Sequence, residues 1–137
     1  MKITGGCQCG AVRYESSAAA LVTRLCWCRD CQYLGSGNAA VNACFRTETF
    51  SITGTTADYC STAASGNIMH RRFCPRCGTP LFSTAESRPH LIFVRVGSLD
   101  DREWAAPAMT IWTSAAPGWA RIAADLPQVA AQPPPAA

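Results

Sequence analysis

Short stretches rich in branched and aromatic residues recur along the chain, separated by turn formers, with almost no helical periodicity between them. Such side chains suit a pleated, half-buried surface, so residues 11–15, 21–25, 40–45, 50–53, 68–73, 91–96 and 109–113 are expected as strands. Gly54, Ser65-Gly66-Asn67 and Pro117-Gly118 are the clearest breaks, because Gly and Asn tolerate backbone angles that other residues avoid. Only residues 29–34 have the character of a helical turn or two, which Gly35-Ser36-Gly37 stops. That turn begins on a group of cysteines. From Pro127 onward three successive prolines lack backbone donors, and residues 127–137 are expected as an extended Pro/Ala-rich tail that joins no ladder. The pattern predicts a mostly β fold over residues 1–126.

With 137 residues the chain fits one domain. No run of about 18 apolar residues is present, and the segment after Met1 has no apolar stretch resembling a signal peptide. The expectation is a soluble, cytoplasmic protein with no membrane partner. Nine cysteines are many for a reducing compartment, where thiols do not persist as structural disulfides, and their odd number opposes a closed disulfide framework. Metal binding is the alternative, because the spacings are tight.

Cys74-Pro75-Arg76-Cys77-Gly78 has the form of a zinc knuckle, in which a tight turn lets two sulfurs converge and Gly78 supplies a positive φ. A thioredoxin-type redox motif would begin a helix, which Gly78-Thr79-Pro80 opposes. The knuckle provides half of a tetrahedral site, so two further thiolates must come from elsewhere. Cys26-Trp27-Cys28-Arg29-Asp30-Cys31 places three sulfurs within a short segment, able to form a tripod with one open position, the pattern of a catalytic zinc. Spacing leaves the pairing open: Cys28 and Cys31 could equally join Cys74 and Cys77, leaving Cys7, Cys9 and Cys26 as the tripod.

Gly5-Gly6-Cys7-Gln8-Cys9-Gly10-Ala11-Val12-Arg13-Tyr14, Cys26 to Gln32, and Arg72 to Leu81 resemble the glutathione-dependent formaldehyde-activating enzymes, a family that also resembles centromere protein V. The likeness runs on to Ile111-Trp112-Thr113 and Trp119. It implies a zinc-binding β-tent fold with two zinc ions, a structural one on Cys7, Cys9, Cys74 and Cys77 and a catalytic one on Cys26, Cys28 and Cys31. It also implies carbon–sulfur lyase chemistry, in which glutathione and formaldehyde form or release S-hydroxymethylglutathione. Trp27 stands where many members carry histidine.

Zinc held by three thiolates is a poor Lewis acid, so an incoming thiol suits the open position better than hydrolysis does. Arg29, Arg71 and Arg72 lie near the clusters in sequence and are candidates for the carboxylates of glutathione, beside the plain reading of solvated arginines. Trp27, Trp112 and Trp119 are pocket-wall or core residues, His70 and His90 proton shuttles or surface or satisfied-core groups, and Cys44 and Cys60 small buried hydrophobes, with a reserve metal-ligand role as the alternative. The formal charge of +3 does not point to a nucleic-acid partner, since seven thiolates with two zinc ions bring the chain close to neutral. The competing reading is a non-catalytic zinc module that binds a protein partner.

Overall fold

All seven expected strands form, with ends shifted by no more than two residues, in the computed structural model, which describes residues 2–137. They are β2 (Arg13–Ser16), β3 (Val22–Cys26), β4 (Ala40–Arg46), β5 (Phe50–Thr53), β7 (Ile68–Phe73), β9 (Leu91–Arg95) and β10 (Met109–Ile111). Four others were not expected: β1 (Ile3–Gly6), β6 (Ala57–Thr62), β8 (Pro80–Ala85) and β11 (Gln128–Val129). Helix α1 spans Arg29–Leu34, with Cys28 as its N-cap.

The strands form two sheets, one in the order β1-β2-β5 and one in the order β11-β10-β3-β4-β9-β8-β7-β6. Mostly β architecture is therefore present, as the resemblance implies. Aromatic rings join the sheets: Tyr14 stacks on Phe50 at 5.1 Å between centroids and meets Phe82 edge-on at 5.2 Å. Phe45 approaches Phe50 at 5.5 Å. Each such ring pair adds about 0.5–1.5 kcal/mol to the burial of the surrounding apolar side chains. A Cβ at Gly5 would overlap the Tyr14 hydroxyl and the Ser98 carbonyl, so only glycine lets β1 lie this close.

Period-two alternation gives the large sheet two different faces. Ala43, Phe45, Phe82, Ile92 and Val94 enter the aromatic core. Their neighbours Asn42, Ser83, Phe93 and Arg95 line a cavity. Register aligns these neighbours across strands: Asn42 lies opposite Arg24 and opposite Arg95, and Ser83 lies opposite Phe93 and opposite Arg71.

The C-terminal segment departs from expectation. Gln128 and Val129 pair in parallel with Thr110 and Ile111, and the Thr110 N–H donates to the Pro127 carbonyl. The three successive prolines come only at 133–135 and Pro127 needs to supply only its carbonyl, so Gln128 and Val129 remain free to extend the sheet edge.

Candidate metal centres

Cys7 and Cys9 follow β1, while Cys74 and Cys77 lie in the turn between β7 and β8. The four sulfurs lie within 4.8 Å of one another. Cys7 Sγ is 3.6 Å from Cys9 Sγ, which is 3.8 Å from Cys74 Sγ. Zinc–thiolate bonds of about 2.3 Å in a tetrahedron place sulfurs about 3.8 Å apart, so this donor set fits zinc. Local donors stabilise the thiolates. The Val12 N–H reaches Cys7 Sγ at 3.2 Å, and the Arg76 and Cys77 N–H groups reach Cys74 Sγ at 3.4 and 3.5 Å. The Thr79 hydroxyl lies 3.1 Å from Cys77 Sγ and, with other donors, pulls that thiol down to about 5. Gly78 has the expected positive φ of 79°, which turns the knuckle back into β8.

The second group is assembled from a strand end and a helix start. Cys26 ends β3, Cys28 caps α1 and accepts from the Cys31 N–H at 3.4 Å, and Cys31 lies on the first turn. Their sulfurs also lie within 4.8 Å of one another. Three crowded thiols cannot all ionise alone: hydrogen bonds from Cys26 and Cys28 pull Cys31 down to about 3, while the same sharing and burial hold Cys26 far above the usual thiol range. A divalent cation removes this conflict. Asn42 Nδ2 points at Cys31 Sγ from 3.9 Å, and Arg95 Nη1 donates to Asn42 Oδ1 at 2.6 Å. Both clusters can thus hold a metal ion.

All three tripod cysteines line the cavity on the large sheet, together with Arg24, Arg71, Arg88 and Arg95. Arg24 and Arg95 are buried, which lowers the pKa of each, and neither has a carboxylate partner among the described residues. Arg24 Nε has no hydrogen-bond partner among the described residues. Buried charge normally demands compensation, so such a cavity suits an anion. Arg71 is already engaged, donating to Asp30 at 3.1 Å and to Ser61 at 2.9 Å.

Of the arginines singled out from sequence, only Arg71 reaches the cavity. Arg29 donates to Gln32 and lies over Tyr33, and Arg72 lies over Phe82. Arg24, Asn42 and Arg95 were missed, since a polar residue in an alternating strand ordinarily faces solvent, and Arg88 was missed because it lies in the turn between β8 and β9, away from any motif. Trp112 lines the cavity with a left-handed backbone, φ 58°, and its Nε1 donates to Gln132. Trp27 is buried away from the cavity and meets the exposed Trp119 edge-on at 6.4 Å, so it is a packing residue and not a wall of the cavity. His70 and His90 are surface groups. Cys44 is fully buried as expected, but Cys60 is exposed because β6 is the edge strand and its outer face is uncovered.

No helix among the described residues is long and apolar enough to cross a membrane. No curated protein matches the chain. Among solved structures, the crystal structure of a Rhodobacter sphaeroides protein matches with a TM-score of 0.57 and 23% identity, covering 76% of this chain and 96% of that one. That likeness concerns the fold. The model of the glutathione-dependent formaldehyde-activating enzyme family matches residues 2–115, a span that includes both cysteine clusters and most of the cavity. The chain belongs to the glutathione-dependent formaldehyde-activating enzyme family.

Proposed function

We propose that this chain is a zinc-dependent, cytoplasmic enzyme of the carbon–sulfur lyase type acting on glutathione–aldehyde adducts. Cys26, Cys28 and Cys31 hold the catalytic zinc, and Cys7, Cys9, Cys74 and Cys77 a structural one. The observation that carries this reading is the opening of the three-sulfur group onto a cavity walled by guanidinium groups. Three thiolates around zinc leave a net charge of −1, which the neighbouring Arg95 balances. Arg24 and Arg88 remain to receive an anion, and glutathione presents two carboxylates.

Zinc at the tripod supplies a seat that favours the thiolate form of an incoming thiol, the form that attacks carbonyl carbon. Arg24 and Arg88 hold the carboxylates so that the glutathione sulfur faces the tripod, and Trp112 covers one side of the cavity. The sulfur adds to the aldehyde carbon, the carbon–oxygen double bond becomes single, and the oxygen takes the proton that the thiol released. The reverse reaction breaks the carbon–sulfur bond and returns that proton to sulfur.

Exchange NMR across thiols and aldehydes tests the proposal. Catalytic protein is expected to accelerate exchange between free glutathione, formaldehyde and S-hydroxymethylglutathione above the uncatalysed rate. Substituting cobalt at the tripod is expected to give a visible spectrum that shifts on adding glutathione. No acceleration and no spectral response to any small thiol would overturn the enzyme reading and favour a zinc module that binds a protein partner.

A further inference from the structure

On the face of β7 turned away from the cavity, three potential metal ligands meet at the surface. Cys60 on β6 lies directly opposite His70 on β7, and Glu86 follows the end of β8, the strand that pairs with β7 on its other side. Cys60 Sγ is 4.0 Å from His70 Nε2, and Glu86 Oε2 is 2.7 Å from that nitrogen. All three ligand atoms fall within 4.8 Å of one another. Period-two alternation explains the separation from the tripod, since Met69 and Arg71 line the cavity while His70 points to the opposite side.

We propose that Cys60, His70 and Glu86 form a third metal site, for a borderline divalent cation such as zinc. Bonds of about 2.3 Å to sulfur and about 2.0–2.2 Å to nitrogen and oxygen place tetrahedral ligands about 3.3–3.6 Å apart. Cys60 thus moves slightly inward, and the exposed Glu86 opens by about 0.6–0.9 Å. A thiolate and an imidazole select zinc or cobalt over magnesium or calcium, which take oxygen ligands.

A further contact supports this assignment. Glu86 Oε2 and Asp58 Oδ2 accept from His70 Nε2 and Nδ1 at 2.7 and 2.6 Å, which raises the imidazole pKa; a metal ion would replace the Nε2 proton between His70 and Glu86, while Asp58 keeps the proton on Nδ1. Metal-bound histidines are oriented in this way. One thiolate, one carboxylate and a neutral imidazole make the site neutral with a divalent ion, and the fourth position faces solvent. Its metal would tie the edge strand β6 to β7 and to the end of β8. The same β6–β7 hairpin carries Ala63 and Asn67 on the cavity wall, so the outer site braces the cavity from behind.

The test starts from the purified protein with both cysteine clusters loaded, and adds zinc or cobalt. Wild type is expected to take up one further equivalent, to show a thiolate-to-cobalt charge-transfer band for it, and to shield Cys60 from iodoacetamide. Cys60→Ser and His70→Ala should each lose that equivalent while retaining the metal already bound. Asp58→Asn should weaken it by about 10–100-fold. Absence of a further equivalent in wild type, or uptake unchanged in both ligand variants, would overturn the proposal. Circular dichroism on the variants separates loss of the site from loss of the fold.

Discussion

Asn42 faces Arg95 across the β4–β9 ladder, accepts its guanidinium N–H at 2.6 Å and turns its own amide towards Cys31 Sγ at 3.9 Å. A buried cation is thus linked through a neutral donor to one sulfur of the tripod. Donors that hydrogen-bond to metal ligands orient them and spread their negative charge, and losing one typically costs about 10–100-fold in metal affinity. Asn42→Ala is expected to weaken zinc at the tripod by that factor without affecting the four-cysteine group. Competition with a chromophoric chelator would show one weakened site and one unchanged. Equal affinity in the variant would mean that Asn42 serves only to bind Arg95.

Arg24 separates stability from binding. Its side chain is buried and its Nε is unpartnered, so it costs the fold free energy while facing the cavity. Arg24→Met keeps the apolar stem and removes the charge. The variant is expected to melt no lower than wild type and to show a glutathione KM raised at least about tenfold, equivalent to about 1.4 kcal/mol. Thermal melts and exchange rates against glutathione concentration check both halves. A lower melting temperature with an unchanged KM would make Arg24 a structural residue.

Asp100 joins the small sheet to the segment after β9. It accepts from the Thr4 hydroxyl at 2.7 Å and pairs with Arg13, and these contacts hold its carboxyl below the usual range. Because the folded pKa is depressed, the stabilisation is fully present above the unfolded value near 3.9 and is lost as pH falls through the folded one. The pair is half-exposed, which limits its contribution to about 1 kcal/mol or less. Asp100→Asn should therefore be slightly less stable than wild type at pH 7, with the gap closing below about pH 4. Denaturant melts of both proteins at matched pH measure it, and a gap that widens in acid contradicts the assignment.

Cys44 should be chemically silent. Burial in β4 leaves it fully covered and pushes its thiol up to about 11, so thiolate is scarce at neutral pH. Iodoacetamide followed by peptide mapping is expected to leave Cys44 unmodified in the native protein and to label it fully in denaturant. Labelling of Cys44 under native conditions would show that β4 opens locally.

Local chemistry was legible in the sequence, whereas tertiary register was not. Cysteine spacing exposed both clusters, and branched residues marked the central strands, because each signal lies within a few neighbouring positions. The choice between the two possible cysteine pairings needed the family resemblance, since Cys7 and Cys74 meet only through folding. Arg24, Asn42 and Arg95 converge through strand pairing alone, so nothing in their own surroundings distinguished them from outward-facing polar groups. β6 and β8 escaped notice because Ser, Thr, Ala and Pro dilute their apolar pattern, and β11 because the prolines after it dominated the reading.

The two cysteine groups should also fail differently. Cys9 and Cys74, in contact at 3.8 Å, are 65 residues apart, so the four-cysteine group staples β1 to the β7–β8 turn. Metal binding at such a site is folding free energy, on the order of 10–16 kcal/mol in small zinc peptides, comparable to the whole stability of a domain at about 5–15 kcal/mol. The tripod closes only the short segment from Cys26 to Cys31, which constrains the unfolded chain far less. Its surroundings are held independently by the β3–β4 and β3–β10 ladders. Cys77→Ser is therefore expected to give an unfolded or insoluble chain, while Cys31→Ser stays folded, keeps the metal of the four-cysteine group and loses both its response to glutathione and adduct exchange. Circular dichroism, metal content and exchange NMR on the two variants decide between them. The opposite ranking, with Cys31→Ser unfolded and Cys77→Ser folded and active, would mean that the structural and catalytic roles have been assigned to the wrong groups.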